Sequence, residues 1–171
     1  MNYKIDFYTD GSCSTAIKRG GWGCITVKYN PNDVENVECL YGCASDTTNN
    51  RMELQGFLTA LTIIQDIANN FKKEDNYTIN IYSDSAYIVN CFKDKWYKKW
   101  LVNGWKSANR VAIKNKELWK PIIIAYNKII KNENIVLEIK KVKGHGTNKY
   151  NNLADTYANK WREEDENNDS K

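Results

Sequence analysis

The order of strand-like and helix-like segments constrains the fold of this chain more than any other feature. Apolar and polar side chains alternate from Ile5 to Asp10, which predicts a strand that ends at Gly11-Ser12. The other strand patterns cover Trp22 to Tyr29, Val34 to Ala44, Tyr77 to Ser83 and Ile135 to Val142. Because the first three strands follow one another directly, we expect them to form an antiparallel meander.

Helical patterns separate the later strands. Apolar residues recur at helical spacing from Leu54 to Ile64, and Asn49 or Asn50 is placed to cap this helix. Glu53 follows Asn50 by three residues, as in a capping box. Further helices are predicted to open at Asp84-Ser85, to run from Glu117 to Ile130 and to run from Asn151 to Glu164. The order predicts an α/β fold, with a mixed sheet and helices packed on it.

The length and composition predict a single globular domain. A chain of 171 residues fits one domain, which we expect over residues 1–161. Residues 162–171 are acidic and carry no apolar side chain, so we predict a disordered tail there. The first residues show no secretory pattern, and the apolar runs are too short to cross a membrane. We expect a monomer in the cytoplasm or nucleus that is not secreted and does not bind a membrane.

The cysteines argue against a zinc site. None of the five lies in a C-x-x-C pair, and the chain has a single histidine to complete a ligand set. An odd number of cysteines without an export signal is typical of free thiols. Cys24 and Cys91 lie in apolar contexts and are predicted to be core residues.

Positive charge is concentrated in one part of the chain, which we call the basic segment (93–120). It holds nine basic residues against two acidic ones, although the whole chain carries a net charge of only +4. Such an excess favours a polyanionic partner. Trp96, Trp100 and Trp105 are interleaved with these lysines, either as structural residues or as part of the contact surface.

Four acidic residues occupy similar places in the predicted fold. Asp10 and Asp84 lie at the ends of strands, and Glu53 and Asp155 lie near the starts of helices. Strand ends in an α/β sheet are where active-site crevices form, and carboxylates gathered there repel one another unless cations hold them. Oxygen ligands of this kind suit Mg²⁺ or Mn²⁺. Taken singly, each acid has a simpler explanation as a helix cap or a turn former.

Five short motifs surround these acids in chain order. They are Tyr8-Thr9-Asp10-Gly11-Ser12, Thr47-Thr48-Asn49-Asn50-Arg51-Met52-Glu53-Leu54, Tyr82-Ser83-Asp84-Ser85, Val142-Lys143-Gly144-His145-Gly146 and Asn152-Leu153-Ala154-Asp155. Their sequence and spacing resemble the type 1 ribonuclease H family of bacterial and retroviral kind, over roughly Lys4 to Trp161. The resemblance implies a ribonuclease H-like fold, with three antiparallel and then two parallel strands in one five-stranded mixed sheet.

The resemblance also implies an activity and its residues. The family hydrolyses the RNA strand of RNA–DNA hybrids endonucleolytically with two Mg²⁺ ions, leaving 3′-hydroxyl and 5′-phosphate ends, and needs no small-molecule cofactor. Asp10, Glu53, Asp84 and Asp155 match its metal ligands, and Mn²⁺ is expected to substitute for Mg²⁺. His145 matches its catalytic histidine. The glycines beside His145 favour an exposed, mobile loop, and an imidazole can transfer a proton near neutral pH; the simpler alternative is a structural histidine.

The resemblance implies two sets of substrate contacts. Thr48, Asn49 and Asn50 match positions that hold the DNA phosphate and the minor-groove edge, and Cys13 matches a position along the RNA strand. The basic segment matches a protrusion that grips the DNA strand. Its implied contact residues are Trp96, Lys98, Lys99, Trp105 and Lys106.

Two alternatives remain beside the nuclease. The chain can be a nucleic-acid-binding module on the same fold without activity, but a pure binder has no need for four converging carboxylates. It can also be a nuclease domain that acts only within a larger polymerase or integrase assembly. A chain with its own basic segment makes that second alternative less favourable.

Overall fold

The computed structural model describes residues 1–30 and 35–169. Five strands form one sheet: β1 (Asn2–Ser14), β2 (Arg19–Tyr29), β3 (Glu35–Ala44), β4 (Asn76–Ser83) and β5 (Ile135–Lys141). Six helices complete the fold: α1 (Asn49–Asn70), α2 (Ala86–Lys93), α3 (Trp96–Val102), α4 (Lys116–Ile130), α5 (Lys149–Ala158) and α6 (Lys160–Asp169).

The sheet has the predicted mixed topology, in the order β3-β2-β1-β4-β5. β2 pairs antiparallel with both β1 and β3, while β4 pairs parallel with both β1 and β5. This arrangement confirms the expected ribonuclease H-like sheet. It also places β1 in the centre, where Thr9 is paired with Ser83, the last residue of β4, so Asp10 and Asp84 follow a shared pair of neighbouring residues.

Alternation along β1 separates two hydrophobic clusters, one on each face of the sheet. Ile5 and Phe7 point towards the larger cluster, which includes Leu54, Phe57 and the fully buried Trp119. The smaller cluster lies on the opposite face. Its members are Tyr8, Ile25, Val27, Tyr150 and Ala154, so α5 covers that face. Helices α1 and α5 therefore pack on opposite faces of the sheet along β1.

The first strand is longer than predicted. Gly11-Ser12 does not end β1, because residues 11–14 continue the antiparallel ladder with residues 19–22 of β2. Asp10 consequently lies within a strand and not at its end. The predicted start of the third strand, Val34, lies outside the described residues.

The caps of two helices also differ from the prediction. Thr48 caps α1, because its side chain accepts a hydrogen bond from the backbone N–H of Arg51, so neither Asn49 nor Asn50 is the cap. Glu53 is not part of a capping box and is buried in the second turn of α1. Asn148 caps α5 by accepting from the N–H groups of Tyr150 and Asn151, and the helix therefore begins before residue 151.

The C-terminal residues form two helices where one helix and a tail were expected. α5 ends at Ala158, and α6 begins at Lys160 and continues to Asp169. The buried Trp161 fixes the start of α6, and Lys160 forms an ion pair with Glu163 at 3.6 Å one turn later. Helical structure therefore occupies most of the segment for which the composition predicted disorder.

The cysteines fit their predicted states. All five have free thiols, and Cys24 and Cys91 are buried core residues as expected. Over residues 1–30 and 35–169, no helix combines the length and the apolar character that crossing a lipid bilayer requires.

Candidate metal centre

Three of the four predicted carboxylates converge in the structure. Asp10 comes from β1, Glu53 from α1 and Asp84 from the residue after β4, and one oxygen of each lies within 4.8 Å of the others. Asp10 and Glu53 are buried, whereas Asp84 is half-buried. The cluster is thus a partly covered anionic site that opens to solvent on one side.

Gly11 brings α1 onto β1 at this point. A Cβ added to Gly11 would lie 2.3 Å from the backbone nitrogen of Glu53, which is closer than any real side chain permits. The absence of a side chain lets Glu53 approach the carboxylate of Asp10. Gly11 also donates its backbone N–H to Asp10 Oδ1 at 2.9 Å, and this bond fixes the direction of the carboxylate.

The electrostatics of the cluster are those of crowded like charges. Burial raises the pKa of Asp10 to about 8, and the neighbouring Asp84 and Asp155 add to the rise. Burial also raises the pKa of Glu53 well above its usual range, with further contributions from Asp10 and Asp84. The pKa of Asp84 is raised by burial, while His145 opposes the shift. The metal-free site therefore disfavours full ionisation and gains from a bound cation.

The donor set fits a hard divalent cation. Every oxygen of the converging group belongs to a carboxylate, the ligand class that Mg²⁺ prefers. Glu53 Oε2 is buried, and no described residue forms a hydrogen bond with it. An ionised oxygen buried without a donor is costly unless a cation satisfies it, so this atom marks where a metal ion fits.

Asp155 lies beside this group and not within its tightest part. It is the seventh residue of α5, further into the helix than predicted, and it is half-buried. Its charge is among those that raise the pKa of Asp10 and Asp84, so it belongs to the same electrostatic site. The structure thus brings all four predicted carboxylates together, with Asp155 on the margin.

His145 lies on an exposed loop between β5 and α5. Its φ of 53° is unusual for a residue other than glycine. A Cβ added to the preceding Gly144 would lie 2.7 Å from Asp84 Oδ2, so the loop passes directly over that carboxylate. The side chains of Asn151 and Asn152 donate to the carbonyls of Lys143 and Gly146 at 3.4 and 3.1 Å and hold both ends of the loop.

Part of the predicted substrate face forms one surface cavity. Cys13, Thr48 and Asn49 line a cavity of about 270 Å³ together with residues that the sequence analysis did not select. These additional residues are Thr15, Lys18, Asp46 and Thr47. The Cys13 thiol donates to the carbonyl oxygen of Thr47 at 3.5 Å, which joins the end of β1 to the segment before α1. Asn50 is exposed in the first turn of α1.

Tryptophans connect the basic segment to the core. Neighbouring rings follow one another from Trp96 to Trp100 and from Trp100 to Trp105, with centroids 6.5 and 5.8 Å apart. Trp100 also contacts the fully buried Trp119, with centroids 5.3 Å apart. Trp96, Trp100 and Trp105 are therefore all half-buried and packed against the core. The lysines predicted to contact substrate, Lys98, Lys99 and Lys106, are all exposed.

Sequence reasoning missed two polar links around the site. Arg51 donates to Asn115 at 3.4 Å and forms an ion pair with Glu117, which ties the first turn of α1 to the start of α4. Asn159 contacts Asp155 from one helical turn further along. The available sequence signal for Asn159 was its spacing of four residues from Asp155. Nothing in the sequence joins Arg51 to residues 64 or more positions away.

Comparison with known proteins extends these observations. The family model for RNase H matches residues 2–163. A ribonuclease H of Acetivibrio thermocellus is 39% identical over 91% of this chain and 92% of its own length. A ribonuclease H of Prosthecochloris aestuarii is 38% identical over 92% of this chain and 94% of its own length.

Solved structures agree with the sequence relatives. The crystal structure of LC9-RNase H1, a type 1 RNase H with the type 2 active-site motif, superposes with a TM-score of 0.71 at 25% identity, over 92% of this chain and 71% of that one. The region matched by the family model contains β1, α1 and α5, which carry Asp10, Glu53 and Asp155. It also contains β4, which is directly followed by Asp84. The chain therefore belongs to the ribonuclease H family.

Proposed function

We propose that this protein is an endonuclease that hydrolyses the RNA strand of RNA–DNA hybrids and leaves 3′-hydroxyl and 5′-phosphate ends. The observation that carries the proposal is the convergence of Asp10, Glu53 and Asp84 within 4.8 Å in a chain of this family. A binding module gains nothing from buried carboxylates that repel one another. A hydrolase gains a site where cations are held against a scissile phosphate.

The carboxylates are proposed to hold two divalent ions, Mg²⁺ in the first instance, with Mn²⁺ able to replace it. Asp10, Glu53, Asp84 and Asp155 supply the ligands, and their oxygen chemistry suits either ion. When bound, two such metal ions activate a water molecule and stabilise the leaving oxygen in phosphodiester cleavage. Because these ligands come from four parts of the fold, they would fix the positions of the two ions relative to each other.

The other proposed catalytic role belongs to His145, which lies next to the carboxylates. His145 is exposed on a loop that passes over Asp84, so its imidazole can reach the scissile phosphate without being a fixed ligand. It is proposed to carry a proton between the reacting oxygens and solvent, and to assist product departure. The hydrogen bond from Gly11 to Asp10 Oδ1 keeps the central carboxylate in place during this transfer.

Substrate binding is proposed to use two surfaces. The cavity at Cys13, Thr48 and Asn49 offers hydroxyl, amide and backbone groups of a size that suits the shallow groove of a hybrid. Recognition of RNA over DNA at the cut strand depends on its 2′-hydroxyl groups. The basic segment is proposed to hold the DNA strand through exposed lysines, with the tryptophans fixing the position of the helix that carries them.

One comparison of substrates tests the proposed function. We expect the full chain with Mg²⁺ to cleave the labelled RNA strand of a hybrid and to leave duplex DNA and duplex RNA of the same sequence intact. Cleavage should stop in EDTA and return with Mn²⁺, and end-labelled fragments should carry the stated termini. Hybrid binding without any cleavage would contradict the proposal and favour the inactive binding module.

The exposed lysines of α3 provide a second prediction. Replacing Lys98 and Lys99 by alanine should weaken hybrid binding and flatten its salt dependence, by up to about one unit of log–log slope for each phosphate that is no longer neutralised. Turnover at saturating substrate should change little, because these residues lie away from the carboxylates. The matched control replaces the exposed pair Lys72 and Lys73, which follows α1, and should leave the slope unchanged. Equal slopes for both variants would show that Lys98 and Lys99 do not contact phosphate.

A further inference from the structure

Asn159 is the centre of a polar network that connects β1 and α6 to Asp155 in α5. Its side-chain nitrogen donates to the carbonyl oxygen of Asp155 at 2.9 Å and to the carboxylate Oδ1 of Asp155 at 3.4 Å. Its side-chain oxygen accepts from the hydroxyl of Ser12 at 2.6 Å and from Arg162 Nε at 3.1 Å. Ser12 belongs to β1 and Arg162 to α6, so one amide connects both to the margin of the metal centre.

The contacts define which way the amide points. Arg162 is only a donor, so it must face the oxygen of Asn159. The amide nitrogen is then directed at Asp155, where it meets two acceptors. If the amide turned over, its oxygen would face the Asp155 carboxylate and its nitrogen would face the Arg162 donor. Both contacts would become repulsive, so Arg162 selects the orientation that stabilises an ionised Asp155.

Asp155 is the carboxylate that most needs such support. The other three converge within 4.8 Å, and Asp10 is further fixed by the Gly11 N–H. Asp155 lies outside that tight group and is half-buried, and its carboxylate takes a hydrogen bond from Asn159. Groups that hydrogen-bond to ligands, without touching the metal themselves, commonly change metal affinity by about 10- to 100-fold.

We propose that Asn159 is a positioning residue for Asp155, and that Ser12 and Arg162 set its orientation. This inference rests on the proposed role of Asp155 as a metal ligand. It assigns a function to the start of α6, a segment whose composition predicted a disordered tail. The first turn of that helix is then part of the support of the metal centre.

Metal binding and cleavage by the full chain test this proposal separately. Mn²⁺ binding is followed by the decrease of the free-ion electron paramagnetic resonance signal, and Mg²⁺ dependence is followed by cleavage rates. Asn159→Ala should weaken Mn²⁺ binding by about 10-fold, near the lower end for such groups because the network is partly exposed. Arg162→Met should produce a smaller effect in the same direction. The matched control, Thr156→Val, removes a side-chain hydrogen bond to Asn152 in the same helix and should leave Mn²⁺ affinity unchanged.

A double-mutant cycle distinguishes positioning from general damage. In an Asp155→Asn background, Asn159→Ala should cause little further decrease in Mn²⁺ affinity, because its effect passes through Asp155. Full additivity of the two effects would overturn the proposal, as would wild-type Mn²⁺ affinity in Asn159→Ala. If the wild-type chain binds Mn²⁺ but cleaves no hybrid, the proposed function fails while the binding cycle still decides the role of Asn159.

Discussion

Asp10→Asn is expected to reduce Mg²⁺-dependent cleavage below detection while the fold is retained. Asp10 is one of the three converging carboxylates, and it is the group held by the N–H of Gly11. The amide has nearly the same shape but lacks the charge that holds a divalent cation. Cleavage of labelled hybrid, with circular dichroism as the check on folding, measures the effect. Asp66→Asn, an exposed change on the far part of α1, is the control and should cleave as the wild type does.

The same substitution should stabilise the metal-free protein at high pH. The pKa of Asp10 is about 8 in the folded chain against an ordinary 3.8, so its contribution to stability is fully present below about pH 4. That contribution is lost as the pH rises towards 8, where ionisation becomes unfavourable in the folded state. In EDTA, Asp10→Asn should therefore have a higher Tm than the wild type near pH 8, and a smaller difference near pH 4. A lower Tm of the variant at pH 8 would show that burial and the neighbouring carboxylates do not disfavour the ionised form of Asp10 in the folded chain.

His145→Ala should slow cleavage by roughly 100-fold, within the range of a general acid–base contribution, without abolishing it. The carboxylates are proposed to hold the ions without the imidazole, so Mn²⁺ binding should be unchanged. The pH–rate profile of the wild type should show a limb that the variant lacks. Since the chain has one histidine, its imidazole signals in nuclear magnetic resonance spectra are unambiguous and report directly on this group.

Three outcomes would contradict this role for His145. Loss of Mn²⁺ binding would make the residue a metal ligand, and loss of all activity would make it an indispensable base. Wild-type rates at every pH would make it structural. Asn69→Ala, on the exposed end of α1, is the control for a neutral surface change and should leave both the rate and its pH dependence unaltered.

The sheet was predictable because strand patterns are local. Alternation from Ile5 to Asp10 reports which side chains are buried on each face, and the order of strands and helices leaves few topologies. The predicted end of β1 was wrong because Gly11 and Ser12 are typical turn residues, whereas pairing with β2 keeps them extended. Only the partner strand supplies that information, and the partner of Gly11 is Trp22, eleven positions away.

The carboxylates were identified from their motifs, but their surroundings were not. Glu53 fits a capping box by spacing, yet the structure buries it against Asp10, and that proximity depends on how closely α1 approaches β1. The break between α5 and α6 falls at Asn159, where neither proline nor glycine signals an end. Local composition predicted disorder over residues 162–171, because it does not register the burial of Trp161 against the sheet.

Some expectations stay predictions. The family model ends at residue 163, close to the domain boundary expected at 161, but helix α6 crosses that position. The monomeric state and the cytoplasmic or nuclear location also rest on the sequence alone. The roles of Trp96 and Trp105 as substrate contacts also stay predictions, and both rings lie next to Trp100, which contacts Trp119.

The four carboxylates come from segments that span the chain from Asp10 to Asp155. A fragment that stops before α5 lacks Asp155 and also lacks Tyr150 and Ala154, which cover the second face of the sheet. Truncation or proteolysis in that region therefore removes the proposed fourth ligand and the cover of the sheet in a single event. Nuclease activity is accordingly expected only of the completed domain.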